Sequence, residues 1–163
     1  MKHISHNLEE TQKIANDFVT SLSPRPGLGD SDEGATVVGL YGELGAGKTA
    51  FTQAVAKALG VEEKVASPTF VIMKVYELKN YQGVALISKP FQHLVHIDAY
   101  RMDSSDELAR IGWKDIISNP KNLVLIEWPE RVADIMPPHI KINLKVPPEP
   151  LADPNFRELD ILY

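Results

Sequence analysis

Ala35-Thr36-Val37-Val38-Gly39-Leu40-Tyr41, followed directly by Gly42-Glu43-Leu44-Gly45-Ala46-Gly47-Lys48-Thr49, is the stretch that decides the fold. The first part is a short, apolar, β-branched run that suits a buried strand. The second part matches the pattern G-x-x-x-x-G-K-[ST]. Its glycines let backbone N–H groups converge on phosphate oxygens without a Cβ in the way, and Gly45 loosens the turn further. The helix that follows, read as far as Leu59 and stopped by Gly60, points its positive end at the same anion. Lys48 is expected to reach the β- and γ-phosphates, and the Thr49 hydroxyl to ligate Mg²⁺. A chance match in a chain this long occurs on the order of 0.5% of the time. A strand before the loop and an amphipathic helix after it complete the context. The reading is a phosphate loop that binds a nucleoside triphosphate. The guanine-reading tetrad N-K-x-D is absent, so ATP is expected over GTP.

A phosphate loop needs a second acid at the end of a neighbouring strand, holding Mg²⁺ directly or through water. Two runs supply one. Leu94-Val95-His96-Ile97 ends in Asp98, and Leu123-Val124-Leu125-Ile126 ends in Glu127. Strand C-termini in such sheets converge on the ligand crevice. One acid can face the metal while the other orients the attacking water or supports the metal's surroundings. The residues alone do not choose between them. Ser67-Pro68-Thr69-Phe70 offers hydroxyls in a loop that could sense the γ-phosphate; as pattern alone it reads equally well as a proline turn entering a strand. Trp128-Pro129 reads as an exposed-looking aromatic on a turn that either stacks on a partner group or plugs the core edge. The five histidines show no zinc-ligand spacing, and His93 and His96 read as strand residues without chemistry.

Further out, Leu8, Ala15, Phe18, Val19 and Leu22 recur at helical spacing and predict a helix over 8–22. Asn7 and Glu10 form its capping box. Residues 23–34 read as a loop. Strands are predicted over 71–78 and, in a hairpin-like stretch, over 81–87. Ser104 with Glu107 marks another helix start. Ile140, Ile142, Leu144 and Val146 alternate with polar residues, predicting a half-buried antiparallel strand that pairs with a closing strand over 157–163. The expected fold is α/β: one domain over 1–163 with a mixed, mainly parallel sheet, flanking helices and an antiparallel C-terminal hairpin.

Composition bounds the chemistry. The 163 residues carry 17 basic and 22 acidic side chains, a net charge of −5. Autonomous binding to a nucleic-acid backbone, which needs a dense cationic face, is not expected. The absence of cysteine excludes disulfides, thiolate metal sites and thiol nucleophiles. With no signal-peptide core and no membrane-length apolar run, a soluble cytoplasmic chain is expected.

The motifs stand in order: Gly42–Thr49, Ser67-Pro68-Thr69-Phe70, His96-Ile97-Asp98-Ala99-Tyr100-Arg101 and Glu127-Trp128-Pro129-Glu130. Together they resemble the TsaE (YjeE) family of small bacterial P-loop ATPases, from Thr11 to about Arg131, with Arg157 a weaker match. The resemblance implies a weak ATPase that binds ATP or ADP with Mg²⁺. It implies docking on the TsaB–TsaD pair, which forms threonylcarbamoyladenosine in tRNA, and hydrolysis that resets that complex. Contact with tRNA would be indirect, there would be no membrane association, and the chain alone would be a monomer or weakly self-associating. Carried over by position, Glu43, Leu44, Gly45, Ala46, Gly47, Lys48, Thr49 and Ala50 form the nucleotide loop. Lys48, Asp98 and Glu127 serve hydrolysis, and Thr49, Asp98 and Glu127 serve the metal. Thr69 lies in the switch-like loop, Trp128 beside the nucleotide, and Thr11 is a further nucleotide contact.

Three features depart from the family pattern. Ala50 stands where many members have a second Thr, and Glu43 where Asp is common. The segments 24–34 and 81–92 are longer than usual. Two other readings fit a phosphate loop. A small-molecule kinase would want an arginine-rich lid, and the five arginines of this chain do not cluster. A regulatory module that binds nucleotide without hydrolysing it would use both acids for Mg²⁺ alone.

Overall fold

In a computed structural model, residues 1–22, 34–68, 71–78, 91–146 and 155–163 are described. Elements in chain order are β1 (Lys2–Ser5), α1 (Leu8–Ser21), β2 (Thr36–Tyr41), α2 (Lys48–Ala58), β3 (Met73–Glu77) and β4 (His93–Asp98). There follow α3 (Ser105–Arg110), α4 (Trp113–Ser118), β5 (Asn122–Glu127), a 3-10 turn (Pro129–Ile135), β6 (Ile140–Lys145) and β7 (Arg157–Leu162). The strands form one seven-stranded sheet in the order β1-β7-β6-β2-β5-β4-β3.

The centre of the sheet is parallel: β6, β2, β5 and β4 all run the same way. Strands β5 and β2 are apolar along most of their length and buried, as expected for a sheet covered on both faces. Antiparallel pairings lie outside this block, between β3 and β4, β6 and β7, and β7 and β1. The hairpin partner expected for β6 is therefore β7, while the other edge of β6 joins β2 in parallel.

Alternation along the strands sorts the core into two layers. Val38, Leu40, Leu94, Leu123 and Leu125 pack with Phe18 and Val19 of α1 and with Phe51 and Val55 of α2. Val37, Val95, Ile97, Val124 and Ile126 face Leu108 of α3, Trp113 of α4 and Val132 of the 3-10 turn. Helix α1 starts as its capping box predicts. The Asn7 side chain accepts from Glu10 N at 2.9 Å, and Glu10 Oε2 accepts from His6 N at 2.8 Å. Gly60, at φ 77°, closes the turn after α2.

Several elements differ from the sequence reading. β3 begins at Met73, because Ile72 has φ 67°. That conformation breaks a strand and costs a β-branched residue on the order of 1–3 kcal/mol. It is held by hydrogen bonds from Ile72 N to Pro68 O and from Asp98 N to Ile72 O. β1, α4 and the 3-10 turn are short elements that the sequence reading did not include. At α3 the expected box is half formed: Glu107 accepts from Asp103 N at 2.9 Å, while Ser104 makes no side-chain cap. The hairpin read over 81–87 and the loops 24–33 and 81–90 lie outside the described residues. No helix among the described residues is long and apolar enough to cross a membrane.

Phe51 fixes α2, and with it the phosphate loop, to the sheet. It is fully buried, with its ring centroid 5.8 Å from that of Phe18. Phe51→Ala should cost about 3–5 kcal/mol of stability, measured as a lowered urea midpoint at unchanged slope.

Candidate functional site

β2 ends at Tyr41, and the chain must turn sharply to start α2 at Lys48. Gly42, Gly45 and Gly47 make that turn at φ 141°, 80° and 100°. At Gly42 a Cβ would lie 2.3 Å from Leu144 O, so no side chain fits there. The loop residues Glu43, Leu44, Gly45 and Ala46 thereby arch over the N-terminus of α2. Leu44 is exposed at the tip, and Ala46 is buried against the core.

Lys48 lies inside the arch, only 5% exposed. Its Nζ donates to Gly42 O at 2.5 Å and Glu43 O at 3.0 Å, and sits 3.7 Å from the centroid of the Trp128 ring. Burial lowers its pKa below the usual lysine value of 10.5, against the pull of Glu127, Glu130, Asp98 and Glu43.

The two acids come together because β4 and β5 are parallel and in register: Asp98 pairs with Glu127. Both are nearly buried, at 5% and 3% exposure. Thr49 Oγ1, from the first turn of α2, donates toward both oxygens of Glu127, at 2.9 and 3.0 Å. Asp98 accepts from Ser67 Oγ at 2.7 Å and from Tyr100 N at 3.0 Å. The Ser67 contact ties the Ser-Pro-Thr loop to the acid, whereas Thr69 itself lies outside the described residues.

Trp128 is less exposed than its place on a turn suggests, and it both packs at the core edge and stacks. It is half-buried with φ 58°, a left-handed conformation that turns the indole back over Lys48 and against Tyr100. Its backbone N donates to Leu40 O at 3.3 Å, joining the ends of β5 and β2. Thr11 lies apart from the acids. It is buried, shares a 2.7 Å hydrogen bond with Ser5 Oγ, and lines a cleft with Gly47, Ala50 and Arg157 beside the loop.

One site residue was missed. His96 is fully buried, and its Nε2 lies 2.8 Å from Glu127 Oε1. The available signal was period-two alternation, which puts His96 and Asp98 on the same face of β4.

The family model described as "Threonylcarbamoyl adenosine biosynthesis protein TsaE" matches residues 5–150. The chain belongs to the TsaE family. A Rickettsia felis relative named tRNA threonylcarbamoyladenosine biosynthesis protein TsaE is 33% identical over 145 residues, covering 88% of this chain and 71% of the relative. A Treponema pallidum relative of the same name is 36% identical over 131 residues, covering 80% and 83%. The crystal structure of Bacillus subtilis YdiB superposes with a TM-score of 0.65 at 26% identity, covering 98% of this chain and 82% of that one. The fold and the family make this a P-loop nucleotide-binding protein of tRNA threonylcarbamoyladenosine biosynthesis.

Lys48→Ala should weaken triphosphate binding about 10- to 100-fold, from the ~1.5–3 kcal/mol of hydrogen bonds to a charged group, with cooperative unfolding kept. Calorimetric titration with a non-hydrolysable triphosphate checks the first, and a melting curve the second. Because burial lowers the Lys48 pKa, the wild-type affinity should begin to fall at lower pH than an ordinary lysine dictates. The Lys48→Ala affinity should not show that fall.

Proposed function

We propose that this chain is an ATP-binding, Mg²⁺-dependent ATPase subunit that assists threonylcarbamoyl modification of tRNA adenosine. In this reading it docks on the TsaB–TsaD pair and resets it between turnovers. One observation carries the ATPase reading. Thr49 Oγ1 and the Glu127 carboxylate meet within 3.0 Å at the positive end of α2, beside a buried lysine. Family membership supports the tRNA assignment.

The residues suit Mg²⁺. Thr49, Glu127 and Asp98 offer hard oxygen donors at one strand edge. No group of three or more His, Cys, Asp or Glu able to hold a metal occurs among the described residues. Magnesium characteristically takes one or two protein oxygens and completes its shell with phosphate and water. Bound there, it would neutralise charge developing between the β- and γ-phosphates.

The chain's own groups divide the remaining work. Backbone N–H groups of 43–49 and the α2 dipole hold the phosphates. Lys48 exchanges its carbonyl partners for phosphate oxygens, and Trp128 keeps that ammonium out of bulk water. Asp98 and Glu127 flank the position where an attacking water must be oriented. Asp98 also accepts from Ser67, which fits a segment sensitive to the γ-phosphate. We assign the α-phosphate and nucleoside to the cleft beside the loop that Thr11, Gly47, Ala50 and Arg157 line. Arg157 lies beside Gly47 and Ala50 contributes no hydroxyl, so the role of a second threonine falls to the Thr11–Ser5 pair or is absent.

Two outcomes are expected. Glu127→Gln should keep ATP binding and lose hydrolysis, read by titration and phosphate release. ATP turnover should be slow for the chain alone and rise when the TsaB–TsaD pair is added. Equal turnover with and without the pair would refute the partner assignment.

A further inference from the structure

We propose that His96 is a positioning residue for Glu127. Its Nε2–H would hold one carboxylate oxygen in place so that Thr49 and the nucleotide meet the acid in a single orientation. The inference rests on the functional reading of Glu127 given above, and deepens it.

The geometry is specific. Leu94, His96 and Asp98 alternate onto the α2 face of β4, as Leu123, Leu125 and Glu127 do on β5. His96 is in register with Leu125, two residue pairs short of the strand end. Its ring therefore reaches forward along the sheet to Glu127 Oε1, at 2.8 Å. A carboxylate only accepts, so Nε2 is the donor. Nδ1 is buried and has no hydrogen-bond partner among the described residues. Nδ1 offers a proton no acceptor, which leaves Nε2 as the nitrogen that carries the proton toward Glu127.

The bare Nδ1 argues against a packing role. A side chain selected only to fill this position would be apolar, and would leave no buried nitrogen unsatisfied. The fold tolerates that nitrogen, and the ring contributes one directed contact, to Glu127. Thr49 cannot orient the carboxylate by itself. It has one proton to share between two oxygens at nearly equal distance, 2.9 and 3.0 Å. His96 breaks that symmetry by binding Oε1 alone. Oε2 is left with Thr49 as its hydrogen-bond donor.

Three substitutions test this. His96→Gln places an amide N–H near the position of Nε2. His96→Asn places one near Nδ1, out of reach of Glu127. His96→Phe keeps volume and removes the donor. ATP hydrolysis should fall about 10- to 100-fold in kcat for the Asn and Phe variants, the usual cost of removing a ligand's supporting partner. KM for ATP should change little, because the contact orients a catalytic group without binding the nucleotide. The Gln variant should recover most of the activity at comparable melting temperature. Equal activity in the Asn and Gln variants, or undiminished activity in the Phe variant, would overturn the proposal.

A second readout needs neither nucleotide nor metal. The imidazole ¹⁵N spectrum of the free protein should show His96 as the Nε2–H tautomer, with that proton signal displaced in Glu127→Gln. An Nδ1–H tautomer, or a signal indifferent to Glu127, would also overturn it. If the wild-type chain does not hydrolyse ATP, the functional reading fails, and this spectrum still decides the contact. It likewise decides if the Phe variant does not fold.

Discussion

A carboxylate buried to 3% exposure at the end of a central strand is the most demanding group in this protein. Removing an ionised acid from water is costly unless donors replace the solvent. Glu127 meets that demand with Thr49 from α2 and His96 from β4. Each donor constrains its own element. Thr49 can reach only if α2 starts where it does, which requires the glycine turn from Gly42 to Gly47. His96 can reach only if β4 and β5 run parallel in the observed register. The phosphate loop, the sheet direction and the register thus all bear on one carboxylate.

The opposite charge is handled in the same way. Lys48 is buried in the loop, and its ammonium is held by two backbone carbonyls and the face of Trp128. Carbonyl oxygens and an aromatic face stabilise a cation without neutralising it. A phosphate can therefore compete for the ammonium, where a direct carboxylate partner would hold it more tightly. The left-handed backbone of Trp128 serves this arrangement, and the hydrogen bond to Leu40 O offsets part of its cost.

The loop and both acids were legible because each depends on local chemistry. Glycine spacing states where a Cβ is forbidden, and four apolar residues before an acid state where a buried strand ends. The parallel centre of the sheet followed from helices alternating with strands. Alternation put His96 on the Asp98 face of β4, but a histidine on that face looks the same whether it meets core or carboxylate. Only the register with β5 separates the two. The half-burial of Trp128 was not legible because its left-handed φ is set by the junction with β2, and tryptophan has no intrinsic preference for that region. The late start of β3 has the same origin: Ile72 is a good strand residue by type, and tertiary hydrogen bonds override it.

These contacts join motifs that lie far apart in the chain. Ser67 donates to Asp98, Asp98 pairs in register with Glu127, and Glu127 is shared by Thr49 and His96. Ile72 sits at the hinge of this set, because its carbonyl accepts from Asp98 N while its own N–H closes the turn begun at Pro68. A strained residue is retained where its neighbours leave no relaxed alternative. Relaxing Ile72 would cost the Asp98 backbone contact and disturb the segment that carries Ser67. The segment that carries Ser67 is therefore tied to the acid pair twice, through Ser67 Oγ and through the Ile72 carbonyl.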